Sequence, residues 1–251
     1  MDFSPWVHTA LDFFFPAECV YCHDFAGDDR TLIFCRACWE SIVKLRPPSC
    51  PRCGQPYRSM VVMQHTPDFL CGDCRLSPPF FDRALSATAY TDVIKEAILQ
   101  FKFHQKPALG KYLIQLLLSC LPDDIDWADY DAILPVPLHK IRQRQRGYNQ
   151  SVILAKILAW RCNLKPMLAN LIRIRATGVQ WPLKERRQRK QNVKNAFRLC
   201  FPERVKGKNL ILIDDIFTTG ATVNECSRIL KKAGAQSILV LTLSRAGLSD
   251  T

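Results

Sequence analysis

Apolar residues recur at helical spacing between residues 92 and 119: Val93, Ile94, Ala97, Ile98 and Phe101, then Leu113, Ile114, Leu116 and Leu117. The polar "HQKPALG" between the two groups predicts a break, hence two amphipathic helices. "YDAILPVP" (130–137) follows as a short buried strand, and a third amphipathic helix is expected from Tyr148 to about Trp160. "LIRIRATG" (171–178) is a candidate strand with a loop, and "NLILIDD" (209–215) is a continuous apolar strand. A helix over about Ala221 to Lys232, a stop at Gly234 and the strand "SILVLTLSR" complete the pattern. Strands alternating with helices predict an α/β fold with a mostly parallel sheet flanked by helices and right-handed crossovers.

The first 82 residues read differently. Eight of the twelve cysteines fall in four CxxC pairs, Cys19/Cys22, Cys35/Cys38, Cys50/Cys53 and Cys71/Cys74. Two sulfurs at that spacing reach one tetrahedral ion, and four thiolates close a structural Zn²⁺ site, so the set makes two sites. Pairing consecutive motifs gives two stacked ribbons with spacers of twelve and seventeen residues, and cross-braced pairing satisfies the same spacings. Zinc would substitute for the core that so few apolar side chains cannot build. His23 and His65 are read as bystanders, because the cysteines already complete both ligand sets. The expected organisation is therefore a double zinc-ribbon module at 1–82 and an α/β body at 83–251. Cys120, Cys162, Cys200 and Cys226 are read as buried structural thiols.

The formal charge of +12 falls to +8 if eight thiolates hold two Zn²⁺, which still favours phosphorylated or polyanionic partners. The opening "MDFSPWVHTALDFFFPAEC" lacks a basic n-region and a small-residue cleavage site, so no signal peptide is expected. "YLIQLLLSCL" is too short to span a bilayer. A cytoplasmic protein with reduced cysteines and no membrane span is the reading.

Candidate chemistry gathers in "ILIDDIFTTGATV" (211–223). Between a strand and a helix, the backbone N–H groups of Thr218 to Thr222, a permissive Gly220 and the hydroxyls of Thr218, Thr219 and Thr222 make a cradle for one phosphate. Asp214 and Asp215 beside it suit vicinal hydroxyls or the waters of Mg²⁺. A phosphate next to a diol describes a pentose 5-phosphate. No Walker GxxxxGK[ST] motif occurs.

This segment resembles the phosphoribosyl pyrophosphate motif of type I phosphoribosyltransferases. With four CxxC pairs in front, and with "FKFHQK" (101–106), "PVPLHKIRQRQRGYNQ" (135–150) and "TGVQWPLKERRQRKQNVKNAF" (177–197), the chain resembles the ComF family of competence-related proteins. The resemblance implies a type I phosphoribosyltransferase-like sheet behind a double zinc ribbon. It places Asp214 and Asp215 on the ribose hydroxyls and metal, and Thr218, Thr219, Gly220, Ala221 and Thr222 on the 5-phosphate. Pro135, Val136, Pro137, Leu138, His139 and Lys140 become the pyrophosphate loop, with Arg142, Arg146, Gly147 and Asn149 in the signature after it. The segment 177–197 resembles a mobile loop that closes over the site, where Gln180, Arg189 and Asn192 are the positions of interest.

The implied reaction displaces Mg-pyrophosphate from C1 of phosphoribosyl pyrophosphate by a nucleophile that the residues do not identify. A second reading stays open at this point. Residues 184–194 hold six Lys/Arg against one Glu, and such a loop also suits an adaptor for single-stranded DNA or a DNA-processing protein.

Overall fold

The computed structural model of the chain describes residues 18–27, 33–57, 69–175 and 191–248. Five strands form one sheet: β1 (Arg83–Ala89), β2 (Ala132–Pro135), β3 (Lys165–Pro166), β6 (Asn209–Phe217) and β7 (Ser237–Arg245). Their order is β1-β7-β6-β2-β3, and every pairing is parallel. β6 is central, in register with β7 along its whole length and with β2 over Leu210–Ile213.

The continuous apolar run of β6 has a direct cause, since both of its faces are covered. Ile211 and Ile213 pack beneath α3 (Asp92–Phe103), α4 (Leu109–Leu118) and α6 (Gln150–Arg161), while Leu210 and Leu212 face α7 (Ala221–Lys232). All four are fully buried. At about 1.5–3 kcal/mol each, an upper bound, they contribute on the order of the net stability of a whole domain. The two helices expected between 92 and 119 are α3 and α4, and the apolar positions named for them are buried.

Three elements depart from the expected pattern. β1 has little hydrophobic periodicity because its inward positions, Ala84, Ala87 and Ala89, are small. Its outer edge is also covered by the cysteine-rich segment: Leu45 N donates to Ala87 O (2.8 Å), Ala89 N to Val43 O (2.9 Å) and Ala84 N to Arg52 O (2.9 Å). Backbone from the zinc-ribbon segment thus caps an edge that would otherwise be open to pairing. β4 (Leu171–Arg173), the core of the candidate strand at 171–178, is not in the parallel sheet. It pairs antiparallel with β5 (Phe197–Leu199), making a separate hairpin over α7. The helix expected from Tyr148 starts at Gln150, and the basic run before it is a separate short helix, α5 (Lys140–Arg146), ended by Gly147 at φ 79°.

Cys200 also differs from its reading: it is exposed just beyond β5, Cys226 is buried as expected, and Cys120 and Cys162 are half-buried. Among the described residues, no helix is long and apolar enough to cross a membrane.

Candidate functional site

The carboxyl end of β6 carries the site. Strand geometry continues through Asp214 and Asp215 to Phe217, so both carboxylates sit on sheet backbone rather than on a loop. Asp214 Oδ1 accepts from Ser151 Oγ at 3.0 Å and from the Asp215 N–H at 2.9 Å. Asp215 is paired with Lys102 at the end of α3, Nζ to Oδ1 2.8 Å, both side chains only 13% exposed. Burial pushes the Asp214 carboxyl up to about 7, and the neighbouring Asp215 charge adds to the rise against the pull of Lys102 and Ser151. Asp214 therefore exchanges a proton near neutrality.

Thr218, Thr219 and Gly220 turn the chain from β6 into α7. Gly220 adopts φ 71°, and a Cβ there would stand 2.6 Å from the Phe217 ring, so glycine is required on both counts. The Ala221 N–H leans on Thr219 Oγ1 at 3.4 Å, and the first turn of α7 brings Thr222 beside the same opening. A helix start behind a left-handed glycine presents N–H groups to an anion.

Residues 135–149 form the opposite wall. Pro135, Val136 and Pro137 are buried, whereas Leu138 and His139 are half-buried and Lys140 is exposed. Asn149 fixes this wall: its Nδ2 donates to Val136 O at 3.1 Å, and its Oδ1 caps α6 by accepting from Ser151 N at 3.0 Å. His139 similarly caps α5, its Nδ1 accepting from Ile141 N at 3.3 Å. Arg146 lies 4.5 Å over the Phe103 ring and donates to Gln150 Oε1 at 3.1 Å. Burial lowers its pKa, with the charges of Asp215 and Asp214 opposing that shift. Arg142 is half-buried nearby, within electrostatic reach of Arg146 and of Arg173 in β4.

Sequence reading missed Lys102, Ser151 and Arg173. Lys102 falls inside "FKFHQK", a segment quoted without a role; only the packing of α3 over β6 carries it to Asp215. Arg189 and Gln180 lie outside the described residues. Asn192 is described, but its recorded contact is its carbonyl accepting from Arg175 Nη2 at 3.0 Å, not a contact with the carboxylates.

The eight motif cysteines assemble as consecutive pairs. Cys19, Cys22, Cys35 and Cys38 form one cluster and Cys50, Cys53, Cys71 and Cys74 the other, with all sulfurs of a cluster within 4.8 Å of one another. Cys35 and Cys71 each stand at the start of a short helix, α1 (Arg36–Glu40) and α2 (Gly72–Leu76). Backbone N–H groups aim at sulfur, Cys38 N to Cys35 Sγ and Cys71 N to Cys50 Sγ, both 3.4 Å. A side-chain hydrogen bond from Cys53, helped by backbone N–H groups and opposed by burial, brings Cys50 down to about 4. Four converging soft ligands with one readily ionised fit Zn²⁺. His23 instead meets Glu18 Oε1 at 2.7 Å, and His65 lies outside the described residues.

The two clusters serve different parts of the molecule. The first packs with Phe34 and Trp39 against the α3–α4 face; the second packs with Phe81 against the face that holds α7 and Phe217. Cys53, Cys74 and Phe81 on one side and Phe217, Thr219 and Asn224 on the other line a cavity of about 250 Å³.

Comparison with known proteins accords with this architecture. Residues 10–77 match the double zinc ribbon domain and residues 168–248 match the phosphoribosyl transferase domain. The chain is 34% identical over 214 residues to the DNA utilization protein YhgH of Salmonella typhimurium, covering 84% of this chain and 89% of that protein. It is 32% identical over 242 residues to competence protein F of Haemophilus influenzae, covering 93% and 99%. The chain belongs to the ComF family. Its sheet is accordingly the type I phosphoribosyltransferase-like fold behind a double zinc ribbon. Among solved structures, 57% of the chain aligns with 30% of a glutamine phosphoribosylpyrophosphate amidotransferase from B. subtilis, at TM-score 0.38 and 18% identity. ComF membership also explains why the cysteine clusters and the β6 loop occur in one chain.

Proposed function

We propose that this ComF-family chain binds phosphoribosyl pyrophosphate at the carboxyl end of β6 and transfers its phosphoribosyl group to an acceptor nucleophile, in the setting of DNA uptake or utilisation. The observation that carries this reading is the pairing of a carboxylate couple on rigid strand backbone with an anion-cradling turn at a helix start. A phosphate alone would need only the turn. The couple adds acceptors for vicinal hydroxyls, as a ribosyl donor requires.

In this reading Thr218 to Thr222 hold the 5-phosphate, and Asp214 and Asp215 take the ribose 2- and 3-hydroxyls. The bond from C1 to pyrophosphate breaks with both electrons leaving on oxygen, while the acceptor forms the new bond at C1. Positive charge must then face the departing group. Lys102 and Arg146 are already held beside the carboxylates, and Arg142 stands at the same wall. The Pro135–Lys140 loop, fixed by Asn149, offers backbone to the pyrophosphate. Arg189 and Asn192 are further candidates to bind it. The preorganised charges stabilise the developing anion without the cost of reorienting water.

Oxygen ligands at Asp214 and Asp215 suit Mg²⁺, which when bound would neutralise pyrophosphate charge. Lys102 already claims Asp215 Oδ1, so a metal drawing on that oxygen must compete with an ammonium.

The relatives named for competence and DNA utilization, together with the basic charge, support a second reading, a single-stranded DNA or protein-partner adaptor that uses the cradle for docking. The two separate in one experiment. Calorimetric titration of zinc-loaded protein with phosphoribosyl pyrophosphate and Mg²⁺ is expected to show one saturable site that is lost on Asp214→Ala, Asp215→Ala. Absence of binding by folded protein, with salt-steep DNA affinity indifferent to both substitutions, would replace the transferase reading with the adaptor.

A further inference from the structure

Arg245, the last residue of β7, is 5% exposed and reaches both the second cysteine cluster and the anion loop. Toward the cluster, its Nη1 donates to Cys53 O at 2.7 Å, its Nη2 lies 3.8 Å from Cys53 Sγ, and its Nε donates to Gln55 Oε1 at 3.0 Å. Toward the loop, its guanidinium carbon lies over the Phe217 ring, 4.4 Å from the ring centroid. Phe217 is the residue whose ring closes off the space beside Gly220. A second strut runs parallel, from the Phe80 N–H to Asn224 Oδ1 (2.7 Å) on the first turn of α7, with the Phe81 ring edge-on to Phe217 at 6.2 Å. Among the described residues nothing comparable links the first cluster to the loop; its contacts run to the α3–α4 face.

A buried guanidinium cannot surrender its partners cheaply. Its bonds to Cys53 and Gln55 exist only while the second knuckle is folded. If the knuckle opens, Arg245 follows its lost partners toward water, and Phe217 loses the plate that holds its ring against the turn. Conversely, an anion that orders Thr218 to Thr222 fixes Phe217 and Arg245, and so the carbonyl and sulfur of Cys53.

We infer that Arg245 is a positioning residue that couples the second cysteine cluster to the anion loop, so that zinc in that cluster and a phosphate ligand on the loop each strengthen the binding of the other. The coupling is reciprocal by thermodynamic necessity. It excludes the first cluster. The inference rests on the loop being a phosphate site, and the test keeps the two claims apart.

Zinc-loaded full-length protein is challenged with a chelator and a thiol-alkylating reagent, with and without saturating ribose 5-phosphate, and alkylation of each cysteine is timed by peptide mapping. Ribose 5-phosphate binding is measured on the same sample by calorimetry. The expected result is slower modification of Cys50, Cys53, Cys71 and Cys74 by about five-fold or more, the lower end of ordinary coupling, with Cys19, Cys22, Cys35 and Cys38 unchanged. Arg245→Met is expected to remove the protection while both clusters still load zinc, and Arg245→Lys, which keeps the charge without the planar fork, to restore only part of it. Binding without selective protection, or equal protection of both clusters, overturns the coupling alone. Absence of binding overturns the phosphate-site reading and the coupling with it. The wild-type comparison needs no variant, so a misfolded Arg245→Met protein would not blunt the test.

Discussion

Replacing Gly220 with alanine tests the turn on which the site depends. The backbone there has φ 71°, a region that costs an L-residue with a Cβ about 1–2 kcal/mol. The new methyl would lie 2.6 Å from Phe217 Cζ and 3.0 Å from Cε1. The ring has little room to yield, because Phe81 meets it edge-on and Arg245 covers it. Forcing a buried ring aside adds about 1–3 kcal/mol. The expected loss is therefore about 2–5 kcal/mol, large against a net stability on the order of 5–15 kcal/mol. Urea unfolding of the zinc-loaded protein, followed by far-UV circular dichroism, should show a lower midpoint at unchanged slope. Affinity for ribose 5-phosphate should fall at least about ten-fold, since about 1.4 kcal/mol at the cradle suffices. A loss below about 1 kcal/mol with unaltered binding would refute the reasoning, because it would mean that Phe217 yields freely and the left-handed turn is dispensable.

Two further outcomes follow from the carboxylate pair. The Asp214 carboxyl is raised to about 7 in the folded chain, above its unfolded value, so the native state holds the proton more tightly. Its contribution to stability is complete at low pH and is lost as pH rises through about 4 to about 7. Relative to wild type, Asp214→Asn should become more stable with rising pH across that window, by up to about 1.4 kcal/mol per pH unit, and urea midpoints between pH 5 and 8 would check this. A flat difference would contradict the raised carboxyl. Lys102→Met removes the partner of a largely buried carboxylate and should cost about 3–5 kcal/mol, measured by the same unfolding; Lys102→Met combined with Asp215→Leu should recover much of that loss.

Much of this protein was legible in the residues alone. A strand buried on both faces must be apolar throughout, so "NLILIDD" announced its own place, and the 3.6-residue spacing announced α3 and α4. Eight cysteines at CxxC spacing specify closed metal clusters because two sulfurs that near in the chain reach one ion, and the Asp-Asp and TTGAT run carries the phosphate-and-diol chemistry in adjacent residues. Tertiary packing decided the rest. β1 is a strand because β7 pairs with one of its edges and the cysteine-rich segment covers the other, where a Cβ on Gly54 would stand 2.5 Å from Ala84 O, and not because its small residues favour one. The pairing of the CxxC motifs depends on which chain segments meet in space. Lys102 reaches Asp215 across 113 positions only because α3 and β6 pack together, and Arg245 reaches Cys53 only because β7 ends beside the knuckle. Short-range periodicity records which face of an element is buried; it holds no record of what that face is buried against.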